Sequence, residues 1–208
     1  MSSRLARDFP LFPLELVVLP SEAVPLHIFE QRYKTMIGEC LAADSEFGIV
    51  WLADDGLREI GCTCRVERVI ERSDDGRINL LARGVRPLRI IERQSHLAYP
   101  AGVVEFVEDH EEQLDAGSSD AAHDAYKELL SAATDRELSD DLLAAMNAYE
   151  LAATIEFGLE AKQGLLELRS ENARLRLVTR LIRAALKRLE FVDRAQARAR
   201  SNGKVRFS

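Results

Sequence analysis

The sequence predicts an α+β fold in which a β-barrel is followed by a bundle of α-helices. Residues 9–110 contain about six short apolar runs, separated by glycine, proline and aspartate turn signals, and one early helix. Residues 120–193 instead carry apolar side chains every three or four positions, which is the spacing of amphipathic helices. An acidic segment at residues 111–119 lies between the two patterns and is predicted to be a linker.

Composition and charge favour a folded protein of the cytoplasm. The chain has 208 residues, of which 47% are hydrophobic, and its formal net charge is -7. No run of about 18 uncharged apolar residues occurs, and the N-terminus lacks the apolar core of a signal peptide, so we expect no membrane span. The chain has three cysteines and no export signal. Because an odd number argues against a disulfide framework, we expect reduced thiols.

The stretch from Phe9 to Leu41 combines apolar runs, prolines and the beginning of a helix. Residues 1–8 are polar and are predicted to be a flexible tail. The run from Leu14 to Leu19 predicts a buried strand, and Pro20 and Pro25 bracket a loop before a second apolar patch. Helical spacing then relates the following five residues: Tyr33, Met36, Ile37, Cys40 and Leu41.

Residues 46–107 predict an antiparallel sheet that curls. An apolar strand at 46–52 ends at the turn signal Asp54-Asp55-Gly56, and a hairpin follows with strands at 61–67 and 78–82. On its first strand, Cys62 and Cys64 lie on an apolar face, and Thr63 lies on a polar face. We expect a bend near Gly84 and a sheet edge near Pro87. Together with later apolar strands at 88–91 and 101–107, this predicts a closed or half-closed barrel.

The last third of the chain predicts four helices. Asp120 is the expected N-cap of the first, and Ser139 that of a second, which would run through Phe157 to a C-cap at Gly158. A third helix is expected at 160–168, and Ser170 begins the fourth. Residues 194–208 are basic and are predicted to be a flexible tail.

Common catalytic motifs are absent from the sequence. It contains no GxxxxGK[ST] phosphate loop, no GxSxG and no HExxH. Cys62-x-Cys64 places two sulfurs on one strand face, but a structural zinc site needs four ligands, so we predict core residues there. We expect no metal, no cofactor and no enzymatic activity.

The last predicted helix has a basic face that allows a second hypothesis. It could bind nucleic acid or anionic lipid, especially if the basic tail extends it. We favour a solvated face whose arginines pair with carboxylates, because the whole chain is acidic and no aromatic residues interleave the basic ones. Nucleic acid is therefore an unlikely partner on this evidence. The residues of this face are Arg174, Arg176, Arg180, Arg183, Lys187 and Arg188.

Several segments carry a resemblance to a known family. The most specific is Pro25-Leu26-His27-Ile28-Phe29-Glu30 with Arg32-Tyr33, supported by Phe47-Gly48-Ile49-Val50 and Asp75-Gly76-Arg77. In this order they resemble the LON substrate-binding domain, the N-terminal domain of ATP-dependent Lon proteases. The similarity covers about residues 9–107 and continues into the segment from Lys162 to Leu168. The loop Pro20-Ser21-Glu22 departs from the family, which often has a Pro-Gly turn there.

The resemblance implies a PUA-like β-barrel and a helical bundle that take part in recognising polypeptide substrates. Family members with proteolytic activity carry an ATPase module and a Ser-Lys protease domain in addition. We therefore expect a stand-alone, non-catalytic protein that binds unfolded or flexible polypeptide, as an adaptor or holding factor in protein quality control. A separate protease or ATPase is a further expected partner, and the oligomeric state stays open.

Site residues follow from this hypothesis. Pro20, Val24 and Pro25 are predicted to contact the polypeptide, with strand addition at the edge near Pro87 as a second mode. The family signature residues are predicted to be structural: His27, Phe29, Glu30, Arg32, Tyr33, Gly48 and Gly76. Nucleic-acid binding by the basic helix and tail is the alternative, and hydrolysis without a partner is the weakest hypothesis.

Overall fold

The computed structural model describes residues 5–134 and 138–202. Its strands are β1 Leu5–Leu14, β2 Ala23–Ile28, β3 Phe47–Ala53, β4 Gly56–Leu57, β5 Ile60–Arg72, β6 Ile78–Gln94 and β7 Ala101–Phe106. Its helices are α1 Gln31–Ala43, α2 Ala116–Ala133, α3 Asp140–Ala144, α4 Ala148–Ala152, α5 Leu159–Glu167 and α6 Glu171–Asn202. The predicted α+β fold is confirmed, and none of the helices in the described ranges is long and apolar enough to cross a membrane.

The sheet closes into a barrel because β1 pairs on both of its sides. Neighbouring strands follow the order β1-β7-β6-β5-β3, and β1 then pairs parallel with β3 from Leu11↔Gly48 to Leu14↔Trp51. The short β4 pairs with β3, while β2 pairs antiparallel with the first half of β6. β1 therefore lies between β7 and β3, and its pairing with both of these strands closes the barrel.

The barrel interior is small, and Gly48 makes room in it. A Cβ at Gly48 on β3 would lie 2.6 Å from Leu88 on β6, although β5 separates these two strands in the sheet. The contact therefore crosses the interior, which is filled by a compact cluster of Phe9, Leu11, Val50, Leu88 and Val104. Thr63 pairs with Gly48 and is fully buried, so its expected position on a solvated face is wrong. Of the predicted polar face, Thr63 therefore lies on the inner face of the barrel, whereas Arg65 and Glu67 are exposed.

The long strand β6 bends where the sequence predicts it. Gly84 lies at a register shift between β5 and β6, and its backbone bonds to the loop that precedes β2: Ser21 donates to the Gly84 carbonyl and Gly84 donates to that of Glu22, both at 2.9 Å. A Cβ at this glycine would meet the Leu19 carbonyl oxygen at 2.1 Å. The loop can therefore dock only because residue 84 has no side chain.

Pro87 does not lie at a free edge of the sheet. It pairs with Cys62 on one side, and on the other side its carbonyl accepts a hydrogen bond from Val107 at 3.0 Å. Since the amide and carbonyl of a strand residue point the same way, the missing donor of the proline faces Val107, just beyond the end of β7. Strand addition at Pro87 is therefore excluded by its neighbours.

The N-terminal prediction needs two corrections. Residues Leu5–Asp8 lie in β1, within the segment expected to be a tail, and β1 ends at Leu14, where the predicted strand was to begin. Val17, Val18 and Leu19 are buried, as an apolar run predicts, but in irregular chain rather than in a strand. The reason is that Leu5–Leu14 already occupies the position between β7 and β3.

The acidic segment is held in place and is shorter than the predicted linker. Asp115, not Asp120, is the N-cap of α2, and Gly117-Ser118-Ser119 belong to that helix. The carboxylate of Glu112 accepts hydrogen bonds from the Ser170 hydroxyl and the Asn172 amide, at 2.9 and 3.1 Å, at the beginning of α6. These hydrogen bonds hold the segment against the helices. The division of the chain into two domains stays a prediction.

The helices differ from the predicted set in three places. Ser139 does cap a helix, but this helix ends at Ala144, and Asn147 with Glu150 forms a capping box that begins α4. Gly158, the expected C-cap, is instead the N-cap of α5, with an extended backbone. Helix α6 begins after Ser170 as predicted and continues to Asn202, into the expected tail; residues 203–208 lie outside the described residues.

A buried arginine joins the beginning of α6 to the chain that leaves the barrel. Arg174 is 3% exposed, and its guanidinium binds Asp109, Glu171 and the Leu168 carbonyl. The same group lies 4.4 Å from the centre of the Tyr149 ring on α4. For this arginine, the expected pairing with carboxylates is confirmed.

A second buried ion pair joins α5 to the loop before β2. The Lys162 ammonium lies 2.6 Å from one carboxylate oxygen of Glu22, and the other oxygen accepts the Leu19 amide at 2.9 Å. The two side chains are 5% and 14% exposed. Gln163, next on α5, donates to the Ile60 carbonyl of β5 at 3.1 Å, so the helix is tied to two parts of the barrel.

The close approach at Gly84 predicts a strong effect of one added methyl group. Gly84→Ala is expected to lower the free energy of unfolding by about 2 kcal/mol or more, because its Cβ would overlap the Leu19 backbone. Gly38→Ala is the control, since nothing lies within 4 Å of its Cβ and alanine favours the helix it lies in. Urea unfolding of both variants checks this, and equal stabilities would contradict the docking described.

The Glu22–Lys162 pair predicts coupled mutations. Lys162→Met is expected to lower the free energy of unfolding by about 3 kcal/mol, because it leaves a carboxylate without its partner at a site largely removed from water. In the double variant with Glu22→Leu the loss should be smaller than the sum of the single losses by about 1 kcal/mol or more. A double-mutant cycle measures this. The control is Lys127→Met, in an exposed pair with Asp140, which should lower the free energy of unfolding by less than about 1 kcal/mol. Additive losses of stability at Glu22 and Lys162 would show that the two side chains do not stabilise each other.

Candidate functional site

A groove opens at one end of the barrel. Because β1 and β3 run parallel, their C-terminal ends lie together, and the antiparallel neighbours bring the C-terminal end of β6 and the N-terminal end of β7 to the same place. The end of β2, the first turn of α1 and the β3–β4 hairpin complete the walls. The groove has a volume of about 500 Å³, and the residues that line it include Phe12, Leu14, Phe29, Tyr33, Leu52 and Leu57.

Its floor is aromatic and rigid. Phe12 from β1 and Tyr33 from α1 are both buried, and their ring centres lie 4.1 Å apart. Ile28, at the end of β2, is 1% exposed and packs in the same core cluster. Burial raises the pKa of the Tyr33 phenol above its ordinary value, so this side chain is neutral at physiological pH. The floor therefore offers an uncharged, largely apolar surface.

The wall of the groove carries an exposed aromatic side chain. Phe29 is 59% exposed and follows directly after β2. Its ring stacks on that of His27, with 5.8 Å between ring centres and 27° between planes. Exposure of so large an apolar side chain, beside a groove rather than isolated on the surface, is typical of a binding surface.

Hydrogen bonds hold the His27 ring in position beneath Phe29. The Asn79 side-chain amide donates to Glu71 at 3.0 Å, which leaves its oxygen as an acceptor. The Nδ1 of His27 lies 2.6 Å from that oxygen and is therefore the donor. This chain from β5 through β6 to β2 orients the histidine, which in turn supports the phenylalanine.

The rim of the groove is charged. Glu30 and Arg32 form an ion pair of 2.8 Å, and the Arg32 guanidinium lies 4.6 Å from the centre of the Tyr33 ring. Arg93, near the end of β6, also lines the groove and adds a second positive charge. An apolar floor with exposed apolar side chains and a few charged groups can bind apolar side chains of a polypeptide and hydrogen-bond its carbonyl groups.

The structure separates the ten predicted site residues into different places. Pro20 and Val24 are buried, so the prediction that they contact a polypeptide is wrong. Pro25, the third predicted contact, is exposed and lies on the same face of β2 as His27. Among the signature residues, Phe29 is 59% exposed, and its structural role stays a prediction. Tyr33 packs in the core as expected, Gly48 faces the barrel interior, and Gly76 forms a turn with φ +78°.

Leu52 and Leu57 are among the groove residues that sequence reasoning missed. Leu52 is 44% exposed and Leu57 is partly buried; they pair across the β3–β4 hairpin. The turn signal Asp54-Asp55-Gly56 marks this hairpin, but the two-residue strand after it is too short to show alternation. Only closure of the barrel brings the hairpin opposite Phe29.

Fold and groove together define an α+β protein with a closed barrel, following helices and an apolar groove at one barrel end. The family model of the ATP-dependent protease La (LON) substrate-binding domain matches residues 8–184, and the chain belongs to this family. It is 27% identical over 212 residues to Lon protease 1 of Syntrophobacter fumaroxidans, a match that covers 92% of this chain and 25% of that protein. The chain thus spans about a quarter of the length of this relative.

Two solved structures are similar in fold. A Lon N-terminal domain protein from Xanthomonas campestris is 26% identical, with a TM-score of 0.62, and the match covers 80% of this chain and 94% of that one. The N-terminal domain of a Lon protease from the Mycobacterium avium complex has the same TM-score at 22% identity, covering 84% and 97%. The resemblance predicted from residues 25–33 and 47–50 is confirmed.

The contrast between exposed and buried aromatic residues of the groove is testable by stability alone. Phe29→Ala is expected to change the free energy of unfolding by less than about 1 kcal/mol, because most of the ring is already in water. Phe12→Ala should lower it by about 3–5 kcal/mol, since that ring is buried against Tyr33. Chemical denaturation measures both. Losses of similar size would show that Phe29 packs as part of the core.

Proposed function

We propose that this chain is a non-catalytic polypeptide-binding protein whose groove at the barrel end takes extended, apolar segments of unfolded or flexible chains. The observation that carries the proposal is the exposed Phe29 ring, held over a groove of about 500 Å³ by the stacked His27. Membership of a family described as a substrate-binding domain supports a polypeptide as the ligand.

The groove would bind side chains rather than add a strand. Burying a large apolar side chain contributes about 1.5–3 kcal/mol, and Phe29 and Leu52 are the exposed apolar side chains that can supply this contact. Two or three such contacts contribute about 3–9 kcal/mol, and the cost of ordering the ligand lowers this sum, so we expect binding weaker than micromolar, which corresponds to about 8 kcal/mol. Weak binding of this kind suits a protein that holds a client briefly and releases it.

The charged rim would add selectivity. Arg32 is held by Glu30 and by the Tyr33 ring, and Arg93 lines the same groove. Their guanidinium groups can donate to main-chain carbonyls of an extended ligand. Apolar segments with exposed carbonyl groups, as in an unfolded chain, match both features better than a folded surface does.

The wider role in this proposal is that of an adaptor or holding factor in protein quality control in the cytoplasm, acting with a separate protease or ATPase. The three cysteines are free and buried, which agrees with a reducing compartment. Pro25, exposed beside His27 on β2, would extend the contact along the strand.

Removing the exposed ring should weaken polypeptide binding without unfolding the protein. Phe29→Ala is expected to raise the Kd for a permanently unfolded chain, such as reduced and carboxymethylated α-lactalbumin, by about tenfold. Fluorescence anisotropy of the labelled chain measures the Kd. The matched control is Ile70→Ala, which removes an equally exposed apolar side chain from β5, outside the groove.

The two variants separate a specific groove from general surface hydrophobicity. The proposal requires the Ile70 variant to bind as the unchanged protein does. It fails if the unfolded chain does not bind, if Phe29→Ala leaves the Kd unaltered, or if both variants weaken binding equally.

A further inference from the structure

A second concave site lies on the helices, between the N-terminal part of α2 and the middle of α6. It is a cleft of about 530 Å³, open to solvent, with Gly117, Ser118 and Ala121 on one wall and Arg176, Arg180 and Arg183 on the other. Its volume falls within the range of about 300–1,000 Å³ that is usual for ligand sites. The cleft shares no lining residue with the groove at the barrel end.

The three arginines face the cleft together. Their spacings of four and three residues place them on one face of α6, and all three side chains are exposed. Arg176 approaches the Ser118 hydroxyl at 3.5 Å, on the α2 side. Among the carboxylates whose side chains the structure describes, none forms an ion pair with Arg180 or Arg183, unlike those that bind Arg174 near the beginning of α6.

One carboxylate faces these arginines, and it is already bonded. Asp115 caps α2, and its side chain accepts hydrogen bonds from the Ser118 hydroxyl at 2.6 Å and the Ser118 amide at 3.2 Å. The hydrogen bond from the Ser118 side chain and, less strongly, the charge of Arg176 hold the pKa of Asp115 below its ordinary value. The remaining positive charge is concentrated at Arg180 and Arg183.

Apart from Thr179, whose hydroxyl donates to the Leu175 carbonyl at 2.8 Å, the rest of the lining is apolar. Leu168 precedes α6, and Ala121 and Ala173 belong to the facing helices, so the floor of the cleft is made of small and medium apolar side chains. The lining contains no aromatic side chain on which a base could stack. Paired guanidinium groups above an apolar floor match a ligand that carries both carboxylates and small apolar side chains.

We infer that this cleft is a docking site for an acidic peptide segment of a partner protein, bound through carboxylate contacts to Arg180 and Arg183. Charge complementarity specifies the occupant, since guanidinium forks recognise carboxylates in a bidentate manner. The apolar floor selects a peptide over the repeated phosphates of a nucleic acid, and Asp115 at one end of the cleft repels a continuous anionic backbone. This inference is independent of ligand binding at the groove.

Charge reversal at two positions tests the inference. The probe is a short fluorescein-labelled peptide that alternates glutamate and alanine, and its affinity is measured by anisotropy at low and at moderate salt. The double variant R180E/R183E is expected to weaken binding by about tenfold or more, and added salt should weaken binding to the unchanged protein. Phe29→Ala should leave this affinity unaltered, which distinguishes the cleft from the groove.

The matched control is K187E/R188E, which makes the same change of charge on the same helix at two exposed residues outside the cleft. It should weaken peptide binding by less than about twofold. Equal weakening by both double variants, or no binding of the peptide, would overturn the inference. Tighter binding of a single-stranded oligonucleotide than of the peptide would also overturn the inference and would make the cleft a nucleic-acid site. Tighter binding of inorganic phosphate than of the peptide would overturn it as well.

Discussion

The buried ion pair between Glu22 and Lys162 connects the helices to the barrel, and much of the remaining geometry depends on it. Glu22 lies in a loop whose backbone is bonded to Gly84, so its position is set by the bend of β6. Its carboxylate receives both the Lys162 ammonium and the Leu19 amide. Such a pair costs desolvation when formed, and its contacts connect α5 to the loop before β2.

The groove at the other end of β2 follows from the same arrangement. β2 begins directly after the loop, runs along β6, and delivers His27 and Phe29 where β1 and β3 end. The rings of Phe12 and Tyr33 fill the space beneath, so Phe29 has no room in the core and stays in water. β2 is thus held at its start by the hydrogen-bonded loop and followed at its end by α1, with Phe29 exposed between them.

Local patterns predicted much of this fold, and long-range pairing decided the rest. Helix α1, the hairpin of β5 and β6 and the cap at Ser139 depend on neighbours in sequence, and the pattern placed them correctly. The strand expected at residues 14–19 was wrong, because a buried apolar run does not reveal which partner its backbone has. Phe29 could be recognised as part of a signature, but its exposure depends on barrel closure, which joins β1 to β3 and cannot be read from either strand alone.

We propose that this LON-type protein binds an unfolded chain in the groove beside Phe29. Amide chemical-shift mapping during titration with an unfolded polypeptide tests it most directly, because it reports every contact region at once without a mutation. The largest shifts should fall at residues 27–33 and at Leu52 and Leu57 around the groove. Shifts confined to the far end of the barrel or to the helices, with these residues unchanged, would contradict it.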